Sequence, residues 1–215
     1  MEEIEKIKPK LLIITGPQGS GNHLFAKIFS MHPTVEGWVM MRDEWQGHYQ
    51  EPFNKYWQNP ALLKDFKWDN THYVTSISCP YYKDKKPQLP KYQEFITEAK
   101  KYADVVTVII GRDRNILELQ QKRVRGLKTY NVALTEFEKL YALCNDLYFI
   151  SQELFFLYGS NYLKIVSKQI GFPIAYNQKT LIDDYLKEDS NSKYIKDIDK
   201  GKFDEQAKKS SLIDS

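Results

Sequence analysis

Residues 11–23, LLIITGPQGSGNH, constrain this chain more than any other stretch. A short apolar run, Leu11 to Ile14, stops at a loop carrying Gly16, Gly19 and Gly21. An amphipathic pattern (Leu24, Phe25, Ile28, Phe29) starts immediately after it. The run reads as a buried strand and the pattern after it as a helix. Glycine has no Cβ to keep an anion from the backbone, and the first N–H groups of a helix have no internal acceptor and sit at the positive end of its dipole. Strand, glycine loop and helix therefore read as a phosphate cradle built from the backbone N–H groups of residues 19–23, with the side chains of Ser20 and Asn22 as added donors. The plainer alternative is a tight strand-to-helix turn that needs glycines for geometry alone. A triphosphate-binding loop would read GxxxxGK[ST], with Lys on the terminal phosphates and a hydroxyl on magnesium. Gly16 and Gly21 have that spacing, but Asn22 and His23 stand at the last two positions.

The 215 residues suggest one domain, with 1–186 as its body and 187–215 as a charged tail of seven Lys and seven acidic residues. The net charge of +3 is small; it suits an anionic small ligand and does not argue for a nucleic-acid coat or a membrane surface. No apolar run is long enough to span a bilayer, and the charged start MEEIEKIKPK is not a secretory signal. Cys79 and Cys144 lie far apart with no CxxC spacing, so a cytoplasmic, reducing setting is the expectation.

Further strands are expected at His72–Pro80, at Val105–Ile110 and at Tyr162–Val166. Helices are expected from Ser20 or Gly21 to Met31, at Lys91–Tyr102, from Arg114 to about Arg125, over Thr135–Tyr158 with Thr135 and Glu138 as a capping box, and at Thr180–Lys187. Lys83–Pro90 reads as a loop. Residues 34–70 read as short helices and loops holding all four tryptophans, Trp38, Trp45, Trp57 and Trp68. Alternating strands and helices imply a three-layer α/β/α fold around a mostly parallel central sheet, with the ligand beyond the carboxyl ends of the strands. The glycine loop, Ser78 and Arg112 would then converge on one edge.

The combination resembles the sulfotransferase family, whose members have a P-loop NTPase-like, nucleoside-kinase-like fold and take a sulfuryl group from 3′-phosphoadenosine 5′-phosphosulfate (PAPS). Gly16-Pro17-Gln18-Gly19-Ser20-Gly21-Asn22 is similar to the family's G-x-x-K-x-G-[TN] donor loop. Ser30-Met31-His32-Pro33 matches the common end of the following helix, and VVTVIIGRD at 105–113 is similar to the strand whose Arg grips the 3′-phosphate. The strand VTSISCP resembles the one bordering the acceptor cleft. The resemblance covers about residues 10–125. It implies PAPS or its product PAP as nucleotide ligand, a small-molecule or glycan acceptor with a hydroxyl or amine, and no metal. The family's loop lysine falls at Gly19 and is absent. A serine that also binds the 3′-phosphate falls near Gln120, whose amide can donate instead. The late basic glycine loop that closes over the nucleotide has no clear counterpart.

On this reading Gly16, Gly19, Ser20, Gly21, Asn22, His23, Arg112 and Gln120 bind the nucleotide. Arg112 would take phosphate oxygens bidentately, or alternatively pair with Asp113. His23, at the helix start, would do part of the missing lysine's work, or serve only as a polar cap residue. Among Glu36, Asp43, Glu44 and His48, Glu44 is the candidate base that takes a proton from the acceptor; a surface carboxylate is the plainer role. His72 reads as structural. Arg123 or Arg125 could help close over the nucleotide. The tryptophans form either an acceptor wall or core. Two other functions compete: a kinase-like phosphotransferase acting on a nucleotide or small molecule, and a non-catalytic nucleotide-binding module of the same fold.

Overall fold

The computed structural model describes residues 8–37, 52–83, 86–187, 189, 191, 192, 194 and 195, with only the backbone at Arg125. Its centre is β1 (Lys10–Pro17), in which Leu11, Leu12, Ile13 and Ile14 are all fully buried. A strand apolar on both faces must be covered on both faces, and this one is. Leu12 and Ile14 meet α1 (Asn22–Ser30) and α6 (Gln152–Ile170) in one core. Leu11 and Ile13 meet α3 (Tyr92–Ala99), α5 (Tyr130–Leu143) and the segment 53–63, which includes α2 (Asn54–Gln58), in the other.

The sheet has five parallel strands in the order β2-β3-β1-β6-β7, completed by β2 (Val35–Glu36), β3 (His72–Cys79), β6 (Asp104–Gly111) and β7 (Leu147–Ser151). The fold is α/β with the expected three layers. β1 pairs with β3 from Lys10↔His72 to Pro17↔Cys79, and with β6 from Lys10↔Asp104 to Thr15↔Ile109. The chain leaves β1 toward β3 on one side and returns to β6 on the other. The carboxyl end of β1 is therefore the place where the strand order reverses, the usual ligand crevice of such sheets.

The expected helix at Thr135–Tyr158 is overturned. α5 ends at Leu143, and residues 147–151 form β7 beside β6, from Thr107↔Leu147 to Gly111↔Ser151. Thr135 is no N-cap; its hydroxyl donates to the Asn131 carbonyl inside α5. The strand expected at Tyr162–Val166 is helix instead. Its buried residues continue a helical stripe, Phe155, Leu163, Val166 and Ile170, behind the Ser151 cap, whose hydroxyl accepts from the Leu154 N–H (3.2 Å). The stretch read as a Lys/Pro-rich loop contributes to a short antiparallel pair, β4 (Tyr81–Lys83) with β5 (Lys86–Gln88). The short helix expected at Thr180–Lys187 is α7 (Lys179–Lys187).

Trp57 and Trp68 pack in the second core. Trp57 stacks on Phe95, ring centroids 3.8 Å apart and 10° from parallel, and Trp68 lies against Phe53, Phe66 and Tyr73. Trp38 and Trp45 lie outside the described residues. His72 sits at the amino end of β3, edge-on to Phe172, and burial pulls its pKa below the usual value.

Candidate anion-binding site

The loop between β1 and α1 owes its shape to glycines under pressure from neighbours. A Cβ on Gly16 would stand 2.3 Å from Ser20 Oγ, 2.6 Å from Asn22 Oδ1 and 2.8 Å from the Ile110 carbonyl of β6. Gly19 (φ 87°) and Gly21 (φ 100°) are left-handed, and an amide lies on each: Gln120 at 3.0 Å from a Cβ on Gly19, Gln152 at 3.4 Å from one on Gly21. Gly21 is the N-cap of α1, so the cap residue itself offers no side-chain acceptor to the first N–H groups. The first N–H groups of α1 therefore open toward the space beyond the loop.

Ser20 and Asn22 turn inward. The Ser20 hydroxyl donates to Asn22 Oδ1 (3.0 Å), and the Asn22 amide donates to the Gly16 carbonyl and to Ser78 Oγ, both at 3.1 Å. Ser20 is fully buried and is not among the residues that line the cavity. These two side chains brace the loop against β3, and the backbone is what the loop offers a ligand.

Arg112, the first residue after β6, reaches back to the same loop. Its Nη1 donates to the Gly19 carbonyl (2.6 Å) and to Gln120 Oε1 (2.5 Å), and its Nε donates to Asn191 Oδ1 (2.8 Å). Only 8% of Arg112 is exposed. Burial lowers its pKa, opposed by the charges of Glu153, Tyr194, Asp189 and Asp113; a guanidinium stays protonated through such shifts. Asp113 does not pair with it by hydrogen bond; that carboxylate caps α4 (Arg114–Arg125), accepting from the Ile116 N–H (3.0 Å). Asp113→Ala is expected to cost about 1 kcal/mol by urea titration, and Asp113→Asn to restore most of it, as for other N-caps.

Between loop and guanidinium lies a cavity of about 470 Å³, within the range of small-molecule sites. It holds Gly19, Gly21, Asn22, His23, Arg112 and Gln120 of the residues singled out in the sequence, and Ser78 at the end of β3. It also holds residues that no motif marked: Gln18, Gln121 and Gln152 with Tyr81, Tyr82, Phe156 and Tyr185. Gln121 links the cradle to α5, donating to the Gln18 carbonyl (2.9 Å) and accepting from the Thr129 N–H (2.8 Å). Gln18 and Gln152 are buried, and their amide oxygens have no hydrogen-bond partner among the described residues. Buried polar atoms are nearly always paired, so these two acceptors on one cavity wall are available to a ligand's donors or to water.

Glu44, Asp43 and His48 lie outside the described residues. Glu36 is on the edge strand β2, where it accepts from the Asn70 amide, and it does not line the cavity. Arg123 on α4 donates to the Tyr194 hydroxyl (2.5 Å), while the side chain of Arg125 is outside the described set. Cys79 is buried and its thiol is pushed up to about 12, so it is a packing residue with no nucleophilic character at neutral pH. Among the described residues, no helix is long and apolar enough to cross a membrane, and no group of three or more His, Cys, Asp and Glu could hold a metal ion. Neither a protein-family model nor a curated protein sequence matches this chain.

Proposed function

We propose that this protein is a sulfotransferase-like transferase whose nucleotide ligand is PAPS, acting on a hydroxyl or amine acceptor. One observation carries the reading: the start of α1, whose N-cap is a glycine, and the buried Arg112 guanidinium border the same cavity. Two separated anion receptors in one pocket suit a ligand that is phosphorylated at two places. The backbone N–H groups of residues 19–23 would hold the 5′ end and Arg112, positioned by Gln120, the 3′-phosphate. Donor groups at both ends of the cavity are what supports this ligand.

When bound, PAPS supplies the sulfuryl group that moves to the acceptor. The chain's own contribution is alignment and charge stabilisation. Position 19 is closed to the family's lysine, since its backbone is left-handed and Gln120 lies against it. His23, on the first turn of α1 and on the cavity wall, is the side chain nearest in role. The kinase-like alternative lacks both the lysine and the hydroxyl that its loop requires. The closed position 19 favours one further reading, a module that binds the nucleotide without transfer.

Calorimetric titration of adenosine 3′,5′-bisphosphate against magnesium-ATP tests the proposal. Selective binding of the bisphosphate is expected, weakened about tenfold or more by Arg112→Ala, the size expected for one charged phosphate contact. Equal or tighter binding of ATP would overturn it. Bisphosphate binding without sulfuryl turnover would select the non-catalytic module.

A further inference from the structure

The segment after α7 has the composition of a solvated tail, yet two of its residues are among the better buried in the protein. Asn191 is 5% exposed and Tyr194 is 3% exposed. Both are buried against guanidinium groups. Asn191 Oδ1 accepts from Arg112 Nε, and the Asn191 N–H donates to Asp189 Oδ1 (2.8 Å), which fixes the turn that presents it. The Tyr194 ring lies 5.8 Å from the Arg112 guanidinium carbon and 5.2 Å from that of Arg123, and its hydroxyl accepts from Arg123. The contact between Arg112 and Asn191 closes a span of 79 residues.

We infer that the segment carrying Asn191 and Tyr194 is a strap that positions Arg112 for its anionic ligand, with these two as positioning residues. An arginine side chain has several rotatable bonds, and holding it in one conformation beforehand removes an ordering cost from ligand binding. Gly19 and Gln120 hold one corner of the fork, Nη1, and Asn191 holds Nε. Asn191 is a neutral acceptor and Tyr194 a neutral ring, so these two contacts orient the guanidinium and add no charge of their own. A carboxylate at 191 would orient it and also offset its charge. The assignment of the anion to Arg112 rests on the function proposed above; the strap contacts do not.

The test uses the full chain and two readouts. The first is hydrogen exchange at Arg112 Nε, followed by NMR and assigned with Arg112→Lys. Asn191→Ala is expected to speed exchange about tenfold or more relative to the wild type, with the amides of β1 and β6 unchanged. Asn191→Asp, which keeps an acceptor oxygen, is expected to restore slow exchange. The second is the Kd for adenosine 3′,5′-bisphosphate. It is expected to rise about fivefold to tenfold in Asn191→Ala and in Tyr194→Leu, and neither change should raise it further in an Arg112→Ala background. Asn191→Asp should also bind more weakly, because its charge competes with the phosphate.

Unchanged exchange in Asn191→Ala would overturn the strap whatever the ligand. Faster exchange with tighter bisphosphate binding would overturn it too, since the segment would then be an obstruction. If the wild type binds no bisphosphate, the proposed function fails, and the exchange result alone decides whether the strap holds Arg112.

Discussion

Gly16→Ala is expected to destabilise the protein by about 3 kcal/mol, at the upper end for overpacking a filled site. Two of the three atoms that crowd the new methyl belong to the brace that shapes the loop, Ser20 Oγ and Asn22 Oδ1. The third is the Ile110 carbonyl on β6. Ser20 cannot move without releasing Asn22, Asn22 cannot move without releasing Ser78, and the carbonyl belongs to a residue paired with Ile150 in the sheet. For a chain of this size the midpoint should fall by roughly 6–12 °C. Urea titration should show the loss as a lower midpoint with unchanged slope. Gly111→Ala is the control: its methyl would meet only the Ile150 carbonyl, at 3.8 Å, so the change should stay within about 0.5 kcal/mol. A Gly16→Ala variant as stable as the wild type would mean that the loop is not locked as described.

Trp57→Ala should cost about 3–5 kcal/mol, the range for deleting a large buried ring. Trp57 is 2% exposed, stacked on Phe95 and edge-on to Tyr92, and its Nε1 donates to Thr75 Oγ1 (3.0 Å) on β3. Removing it leaves a cavity and strands a buried hydroxyl. Trp57→Phe keeps most of the packing and loses the hydrogen bond, so about 1–2 kcal/mol is expected. Trp57 does not line the ligand cavity. Bisphosphate affinity of the folded Trp57→Phe variant should therefore match the wild type by calorimetry. A specific loss of affinity would return this residue to the acceptor wall.

The sheet was legible where one strand carried its own punctuation. β1, β3 and β6 each end in a signal that a single sequence displays: Gly16, Cys79-Pro80 and Gly111-Arg112-Asp113. β7 lacks that contrast. Residues 135–158 are apolar at helical spacing on either side of it, and LYFIS is too short to break the pattern. The punctuation is present but weak, Asn145-Asp146 before the strand and Ser151 as the cap after it. The misplacement of β7 also hid Gln152, since a residue within a long helix has no reason to face a crevice beyond a strand.

The site divides the same way. Glycines and a post-strand arginine announce an anion site because few other roles demand them there. Carboxamides do not, and Gln18, Gln121 and Gln152 acquire meaning only from what they touch. The tail was misleading for a different reason. Composition averaged over residues 187–215 describes a solvated segment, and averaging conceals two side chains, Asn191 and Tyr194, that are buried singly among charges.

The cavity wall has a thermodynamic consequence. It takes residues from the first loop, from the ends of β3 and β6, from α4, from the start of α6 and from α7, so positions 18 and 185 border one space. No fragment of the chain could build it, and local fraying could not leave it intact. A molecule held there binds the native state alone, and at a hundred times its Kd it should add about 2.7 kcal/mol to global stability. Melting-temperature screening of nucleotide and acceptor libraries on the wild-type chain is therefore a direct route to the identity of whatever occupies this space.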